Sequence, residues 1–170
     1  MSENSEPAVK LGKAVQIGMV VRDIAKTSKA LSDLFGIGPW RVAEWPLDRP
    51  DMAFIYKGVE TKTRMRLAFA SLGSIELELI QPLTTENDYT QFLETRGEGL
   101  HHILFDVQDM EATLSALGEK GVEVLQTGTG LRPGTRFVYL DTVDAIGFPL
   151  ELRNLVAGSD GTSPVPPAKT

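Results

Sequence analysis

The chain has 170 residues, 42% of them hydrophobic, with a formal net charge of -6 and no cysteine. This length suffices for one sizeable core, and the lack of cysteine excludes disulfides, thiolate nucleophiles and cysteine-based metal sites. The acidic balance argues against a nucleic-acid partner or an anionic membrane surface, because both need basic patches. We therefore expect chemistry on a small-molecule substrate.

The two ends of the chain differ in composition from the middle. Residues 1–12 are polar and lack hydrophobic periodicity, which predicts a flexible arm. Residues 156–170 combine glycine and proline with few side chains that could pack, which predicts a disordered tail. Residues 13–155 are expected to form a single domain. No apolar run reaches the length of a bilayer-spanning helix and the polar start lacks a signal-peptide core, so we expect a cytoplasmic protein without a membrane partner.

The first predicted strand surrounds Gln16 and leads into a helix. Asp23 is suited to cap this helix, and Gly36 is suited to end it. The expected buried face consists of the apolar residues Ile24, Leu31, Leu34 and Phe35.

Residues 40–45 and 52–57 are predicted strands, or strand and loop, on either side of a proline-containing turn at 46–50. Trp40 and Trp45 have odd spacing, so on one strand they face opposite sides. Either could form one wall of a substrate cavity, and the other then belongs to the core or an interface. We take Trp40 as the candidate for substrate binding.

The next strand, at 64–70, alternates between two arginines and an apolar series. Met65, Leu67 and Phe69 are expected to be its core face. Arg64 and Arg66 are then expected on the concave side of the sheet or at its rim, where each could pair with a carboxylate or phosphate of a substrate. A solvated strand end explains both arginines equally well.

Residues 99–107 form a predicted strand that holds both histidines of the chain. Because side chains alternate across a strand, His101 shares its face with the apolar residues that follow, under a helix, and His102 points the other way. His102 is then either a metal ligand or catalytic imidazole on an open face, or a hydrogen-bonded structural residue.

The second half continues with a helix, a loop and two strands. Asp109 is suited to cap the helix, in which apolar residues recur at helical spacing, and Gly121 is suited to end it. The glycine-rich loop 127–135 is a candidate lid over a substrate. Tyr139, on the strand that follows, is either a hydrogen-bond donor to the substrate or a core residue.

The second half of the chain repeats the first. Moved by 86 residues, the strand around Gln16 coincides with the strand around His102, and a second match aligns Leu77-Glu78-Leu79 with Leu150-Glu151-Leu152. Internal similarity of this kind indicates a duplicated unit. We expect half-modules at about 13–83 and 99–155, joined by a linker helix at about 86–97.

In all four repeated strands a polar side chain stands between apolar neighbours, so the four should share one kind of face. A pseudo-twofold pairing of the halves would bring Gln16, Glu78, His102 and Glu151 to one point. One nitrogen and three oxygen ligands suit an open octahedral site for Zn, Mn, Co, Ni or Fe rather than a closed structural zinc site.

These features resemble the vicinal oxygen chelate superfamily of glyoxalases, bleomycin-resistance proteins and dioxygenases, over residues 13–155. The resemblance implies an α+β fold, in which two βαβββ modules form a curved, barrel-like mixed sheet with helices outside, and a homodimer. Within the superfamily, the runs Gly99-Leu100-His101-His102-Ile103 and Leu79-Ile80-Gln81-Pro82-Leu83 resemble methylmalonyl-CoA epimerase.

The ligand pattern of the epimerases is His, Gln, His and Glu, and it falls on Gln16, Glu78, His102 and Glu151 with two departures. The set in this chain matches the order of the zinc-type glyoxalase I. Leu67 is apolar where some epimerases carry a second acid/base glutamate, which argues against racemisation with two bases.

The resemblance implies a metal-dependent isomerase or epimerase that removes a proton next to a carbonyl or thioester. Glu151 is the candidate base and Glu78 the second candidate. A glyoxalase I-like lyase acting on hemithioacetals and a metal-free small-molecule binding or resistance protein are the alternatives. An extradiol dioxygenase ranks last, because its iron site needs two histidines and Gln16 occupies the first position.

Overall fold

The computed structural model describes residues 6–46 and 48–156 of the chain. The expected tail at 156–170 lies outside the described residues except for Val156, and so does the first part of the expected arm at 1–12. In the described part of the arm, Leu11 packs against a hydrophobic cluster of the second half. Both terminal assignments otherwise stay predictions. None of the helices in the described ranges is long and apolar enough to cross a membrane.

Strands and helices follow one another in two similar series. The first half contains β1 (Ala14–Val20), α1 (Ile24–Phe35), β2 (Arg41–Trp45), β3 (Phe54–Tyr56), β4 (Val59–Glu60), β5 (Met65–Leu72) and β6 (Ile75–Pro82). After α2 (Asp88–Thr95), the second half contains β7 (Gly99–Val107), α3 (Met110–Gly118), β8 (Val124–Thr129), β9 (Arg136–Leu140), α4 (Val143–Ile146) and β10 (Leu150–Asn154). Apart from the β3–β4 hairpin and the short α4, each half has the predicted βαβββ order.

The strands form one mixed sheet in the order β2-β5-β6-β1-β7-β10-β9-β8-β3-β4. The central β1–β7 pair is antiparallel, whereas β1–β6 and β7–β10 are parallel. The β3–β4 hairpin follows β2 at one edge and crosses to pair with β8 at the other. The two ends of the sheet therefore approach each other, and Trp45 donates from Nε1 to the carbonyl of Thr129 at 2.9 Å. The predicted architecture, a curved sheet of two modules, is confirmed.

The sequence repeat corresponds to a pseudo-twofold axis at the centre of the sheet. Ile17 lies opposite Ile103 in the β1–β7 pair, and these two residues are equivalent in the repeat, so the axis passes between them. Leu77 pairs with Ile17, and Leu150 pairs with Ile103. The same symmetry therefore explains both sequence matches, although their offsets differ.

Helix α1 has the predicted ends, but its buried face is shorter than expected. The Asp23 side chain accepts from the Lys26 N–H, and Gly36 ends the helix in a left-handed conformation with φ 69°. Ile24 and Leu31 belong to a buried cluster with β5 and β6. Leu34 and Phe35, predicted to be buried, are 72% and 70% exposed, because both lie in the last turn, beyond the residues that contact the sheet.

Candidate metal and active site

Two neighbouring rungs of the sheet carry polar side chains on its concave face. One rung runs through Glu78, Gly18 and His102, and the next runs through Glu76, Gln16, Leu104, Glu151 and Tyr139. The rungs lie on either side of the pseudo-twofold axis. Glu78, opposite Gly18 in the first half, is thus the symmetry mate of Glu151, opposite Leu104 in the second.

Three of the four predicted ligands converge. Glu78, His102 and Glu151 are buried, and one ligand atom of each lies within 4.8 Å of those of the other two. His102 Nε2 is 2.9 Å from Glu151 Oε2 and 3.6 Å from Glu78 Oε2. Imidazole nitrogen and carboxylate oxygen are the donor types that Zn, Mn, Co, Ni and Fe accept.

Glu151 supplies an independent sign that the group is suited to a cation. Its Oε2 is buried and has no hydrogen-bond partner among the described residues, although His102 Nε2 is close by. Buried carboxylate oxygens are normally satisfied, and a bound cation would satisfy this one. The residues present therefore fit a divalent metal ion.

Gln16, the fourth predicted ligand, is also buried, and it lines the same cavity as Glu78 and Glu151. Its Nε2 donates to Glu76 Oε1 at 2.9 Å, and Arg41 donates to the other oxygen of Glu76 at 2.6 Å. This chain of contacts fixes which end of the amide is the nitrogen. The Oε1 atom, which a metal would bind, does not take part in the contact with Glu76.

Gly18 is a site residue that the sequence analysis missed. A Cβ atom at this position would lie 1.8 Å from Cε1 and 2.3 Å from Nε2 of His102. The His102 ring therefore lies directly over the backbone of β1, and only glycine leaves room for it. A glycine in the middle of a strand is the signal that could have shown this, because such a residue often marks a close approach.

The concave face of the sheet encloses a cavity of about 600 Å³, part of which is open to solvent. Its walls are mainly apolar and include Trp45, Met65, Leu67, Phe69, Leu104 and Phe137. Gln16, Glu78 and Glu151 line the same cavity. The convergent polar group thus lies in the wall of an apolar pocket, as is common for small-molecule sites.

Comparison with known proteins identifies the family. The model of the Glyoxalase/Bleomycin resistance protein/Dioxygenase superfamily matches residues 15–139. The chain belongs to this superfamily.

Within the superfamily the chain is similar to epimerases. Mitochondrial methylmalonyl-CoA epimerase of Mus musculus is 24% identical over 152 residues, which are 88% of this chain and 77% of that protein. The uncharacterized protein YqjC of Bacillus subtilis (strain 168) is 36% identical over 74 residues, 44% of this chain and 53% of YqjC, so the match spans about half of the length of that relative.

Solved structures of superfamily members show the same fold. A variant of Streptomyces coelicolor methylmalonyl-CoA epimerase in complex with 2-nitronate-propionyl-CoA has a TM-score of 0.65 at 24% identity, over 91% of this chain and 100% of that one. A methylmalonyl-CoA epimerase in complex with methylmalonyl-CoA and NH4+ has a TM-score of 0.63 at 23% identity, over 87% of this chain and 97% of that one.

Burial and neighbouring charges shift the pKa values of the groups in this site. Burial raises the pKa of Glu78 to about 7, although His102 opposes the shift. Burial alone would lower the pKa of His102, but the carboxylates of Glu151 and Glu78 outweigh it and raise the pKa to about 9. Burial also raises the pKa of the Tyr139 hydroxyl. The excess of negative charge that holds a proton on His102 would equally favour a cation.

The strand alternation predicted for His101 and His102 is broken by a β-bulge. The β1–β7 register shifts between Gly18 and Met19, opposite the two histidines, and a bulge of this kind re-aims a side chain. His101 lies under a helix as expected, with its Nε2 2.9 Å from Asp88 Oδ2 of α2. It is also next to the site, because its Nδ1 is 3.2 Å from Nδ1 of His102.

Three of the four candidate substrate-binding residues lie outside the cavity. On β5 the apolar series faces the cavity, so Arg64 and Arg66 point away from it, and Arg66 pairs with Glu44 at 3.0 Å on the exposed side. Trp40 packs in the cluster beneath α1 and donates from Nε1 to Ser32 Oγ. The expected concave-side position of the two arginines was wrong, because both faces of β5 are buried around Ala68 and Ala70 and the apolar pattern does not identify the concave face. Both arginines are exposed, as the alternative of a solvated strand end predicted.

Tyr139 is the candidate that does line the cavity. Its hydroxyl oxygen lies 3.2 Å from Nδ1 and 3.4 Å from Nε2 of His102. Across the β9–β10 pair, Tyr139 lies opposite Glu151, which also lines the cavity. The hydroxyl therefore stands beside the predicted ligands, where it could contact a bound substrate.

Two further arginines line the cavity and were not predicted. Arg153 lies two residues after Glu151 on the same face of β10, and it makes a two-pronged pair with Asp106 at 2.8 and 3.1 Å. Arg132 lies in the loop before β9, and burial together with the charge of Arg153 lowers its pKa. The even spacing from Glu151 is the sequence signal that could have indicated Arg153.

The loop predicted as a lid contributes directly to the cavity wall through Gly130, Leu131, Arg132 and Thr135. Arg49, from the segment after β2, donates to the carbonyls of Leu131 and Gly130, each at 3.1 Å. Within the loop, the Gly130 N–H donates to the Thr135 carbonyl at 2.8 Å. These contacts hold the loop across the cavity between the two halves.

Proposed function

We propose that the protein is a metal-dependent isomerase or epimerase that removes a proton next to the carbonyl of an acyl thioester, with methylmalonyl-CoA-like compounds as substrates. The observation that carries the proposal is the buried group of Glu78, His102 and Glu151, whose ligand atoms lie within 4.8 Å of one another. The similarity to methylmalonyl-CoA epimerases supports the substrate class.

The metal would be held by His102 Nε2, the carboxylates of Glu78 and Glu151, and Oε1 of Gln16. A divalent cation, one of Zn, Mn, Co, Ni or Fe, supplies Lewis-acid stabilisation of the oxyanion charge that develops on the substrate. Proton transfer and substrate binding are carried out by side chains of the protein.

Glu151 is the proposed base. Its Oε2 is buried beside His102 Nε2 at 2.9 Å and lines the cavity, so this carboxylate can reach the α-proton of a substrate bound there. Glu78 is the second candidate for the base, because its carboxylate is buried in the same group and lines the same cavity. Leu67 lines the cavity as an apolar residue and takes no part.

The cavity supports a substrate with an apolar part and an anionic part. Its apolar walls bury the carboxylates of Glu78 and Glu151, which strengthens the charge interactions of these two groups. Arg132 and Arg153 line the cavity together with the carboxylates of Glu76, Glu78 and Glu151. With a divalent cation held by Glu78 and Glu151, the two guanidinium groups outnumber the remaining carboxylate of the lining and favour an anionic substrate such as a carboxylated acyl thioester.

A glyoxalase I-like lyase is the second candidate. The glutamine at position 16 and the glutamate at position 78 favour it, since this ligand set is the one that the zinc-type glyoxalase I resemblance implies. Both reactions begin with removal of a proton next to a carbonyl and differ in the substrate that is turned over. The expected homodimer and cytoplasmic location stay predictions.

The test combines metal analysis with isotope exchange. The purified protein should contain or bind close to one equivalent of a divalent transition metal, and it should exchange the α-proton of methylmalonyl-CoA for deuterium in D₂O, with loss of exchange in EDTA. Turnover of a methylglyoxal–thiol hemithioacetal without exchange of the thioester would favour the lyase. Full exchange by protein shown to be metal-free would refute the metal mechanism, and tight substrate binding with neither reaction would point to a binding protein.

A further inference from the structure

Asp88, the first residue of the linker helix α2, is connected to the site through both histidines. Its Oδ2 is 2.9 Å from His101 Nε2, and His101 Nδ1 is 3.2 Å from His102 Nδ1. The other nitrogen of His102, Nε2, faces Glu151 at 2.9 Å. Both imidazole rings are fully buried, whereas the Asp88 side chain is 15% exposed.

The order of donors and acceptors in the series Asp88–His101–His102 follows from the chemistry of the Asp88 carboxylate. A carboxylate only accepts hydrogen bonds, so His101 donates from Nε2 to Asp88. A neutral imidazole carries one ring proton, which leaves Nδ1 of His101 as an acceptor. The partner at 3.2 Å, Nδ1 of His102, must then donate. In the neutral ring of His102 this leaves the lone pair on Nε2, the atom that faces Glu78 and Glu151.

We propose that Asp88 is a positioning residue for the metal site, which acts through His101 to make Nε2 of His102 the ligand atom. The inference rests on the proposed metal-dependent function. Histidine ligands commonly donate their second ring N–H to a carboxylate, which fixes the tautomer and ring orientation. Here a second histidine stands between the carboxylate and the ligand.

Neighbouring residues hold Asp88 and His101 in place. The Asp88 backbone N–H donates to Gln126 Oε1 at 3.1 Å, and Asn87 caps the helix by accepting from the Thr90 N–H. The His101 ring packs between aromatic rings of the same helix, with centroids 5.4 Å from Tyr89 and 4.9 Å from Phe92. These contacts and its complete burial hold the ring beside Asp88.

Glu78 and Glu151 face Nε2 of His102 as the proposed fellow ligands of the metal, and the remaining polar neighbour, the Tyr139 hydroxyl, does not select the tautomer. It is nearly equidistant from the two ring nitrogens, at 3.2 and 3.4 Å. The contact with His101 reaches Nδ1 alone. Selection between the two nitrogens is thus assigned to His101 and, through it, to Asp88.

The test replaces Asp88 by asparagine, whose amide can donate to His101 as well as accept from it. We expect Asp88→Asn to weaken Co²⁺ or Zn²⁺ binding by about 10- to 100-fold, the range typical when a residue that orients a metal ligand is replaced. The matched control is Glu86→Gln, which removes an exposed charge near the same helix end and should leave the affinity unchanged. Titration calorimetry gives the metal affinity, and thermal melts check that both variants fold.

A spectroscopic readout tests the tautomers directly. Long-range ¹H–¹⁵N correlation spectra should show His101 of the wild-type protein protonated at Nε2, and Asp88→Asn should shift it toward the Nδ1-protonated form. In a double-mutant cycle, adding Asp88→Asn to His101→Leu should weaken metal binding no further. Wild-type-like affinity and spectra in Asp88→Asn, or additive effects in the cycle, would overturn the proposal.

Failure of the proposed function would look different. If the wild-type protein bound no transition metal, the metal mechanism would fall, while the spectra of metal-free protein would still decide whether Asp88 sets the tautomer of His101. If the wild type bound metal and Asp88→Asn did so equally well, only the positioning role would fall.

Discussion

Glu151 combines two proposed roles in one side chain, metal ligand and base. Both depend on its charge, because a neutral amide is a weak ligand and accepts no proton at neutral pH. We expect Glu151→Gln to lower the rate of α-deuterium exchange by at least about 100-fold, since a positioned base contributes about 10²- to 10⁴-fold. Mass spectrometry of the thioester measures the exchange. Glu123→Gln, at an exposed position, should retain the wild-type rate, and an unchanged rate in Glu151→Gln would move the base to Glu78.

Gly18 permits the site by the absence of a side chain. In Gly18→Ala the new Cβ would collide with the His102 ring, so the ring must shift away from Glu78 and Glu151 or the strands must separate. Overpacking of this kind costs about 1–3 kcal/mol of unfolding free energy, and metal binding should be lost with it. Urea denaturation and metal titration measure the two effects.

Gly99→Ala is the matched control for Gly18→Ala. Gly99 also lies in a strand, β7, but a Cβ there would have no neighbour within 4 Å. We expect this variant to bind metal as the wild type does. Equal behaviour of the two alanine variants would show that the close approach over Gly18 is not required.

At the scale of elements, local signals were sufficient for the starts of α1 and α3 and insufficient for the strands. The predicted end of α3 at Gly121 was wrong, because the helix ends at Gly118. Asp23 and Asp109 cap their helices as predicted, because each capping contact spans only three residues. The bulge of β7 at the histidines could not be predicted from local signals, because it arises from the pairing of β7 with β1. The facing of β5 was also mistaken, because the burial of both of its faces is decided by α1 and the curl of the sheet.

The arginines of β5 and of the loop before β9 make this distinction testable. Arg132 lines the cavity, whereas Arg66 pairs with Glu44 outside it. We expect Arg132→Gln to raise KM for an anionic acyl thioester by about tenfold, equivalent to about 1.4 kcal/mol, with kcat changed less. Arg66→Gln should leave both constants at wild-type values. The reverse result in steady-state kinetics would restore the prediction from strand alternation.

At the scale of the whole molecule, the duplication was the most informative signal in the sequence. Repeated strands must pair about a twofold axis, so residues equivalent in sequence converge in space even though the chain between them is long. The convergence of Glu78, His102 and Glu151 followed from this symmetry. The β3–β4 hairpin and the cavity arginines Arg132 and Arg153 have no counterpart in the repeat. No pattern in the sequence indicated how the hairpin crosses to β8.

The same symmetry makes the proposed metal a cross-link between the two halves. Its ligands come from β1 and β6 on one side of the axis and from β7 and β10 on the other, so an ion that binds only the folded state stabilises the whole sheet. At about 100 times the dissociation constant this gain is about 2.7 kcal/mol, which for a chain of this size corresponds to a rise in Tm of roughly 5–10 °C. We expect Zn²⁺, Mn²⁺, Co²⁺ or Ni²⁺ to raise Tm of EDTA-treated protein by this amount, measured by calorimetry.

The dependence of this gain on pH separates site binding from unspecific effects of the ion. Because the pKa of His102 is raised to about 9, a proton competes with the cation at neutral pH, and binding must displace it. The metal-induced rise in Tm should therefore be larger at pH 9 than at pH 7. In the double variant Glu78→Gln/Glu151→Gln the carboxylates are gone, and Tm should respond to neither metal nor EDTA. A rise in Tm that persists in this variant would mean that the ion binds elsewhere and that the two halves are not joined through the proposed site.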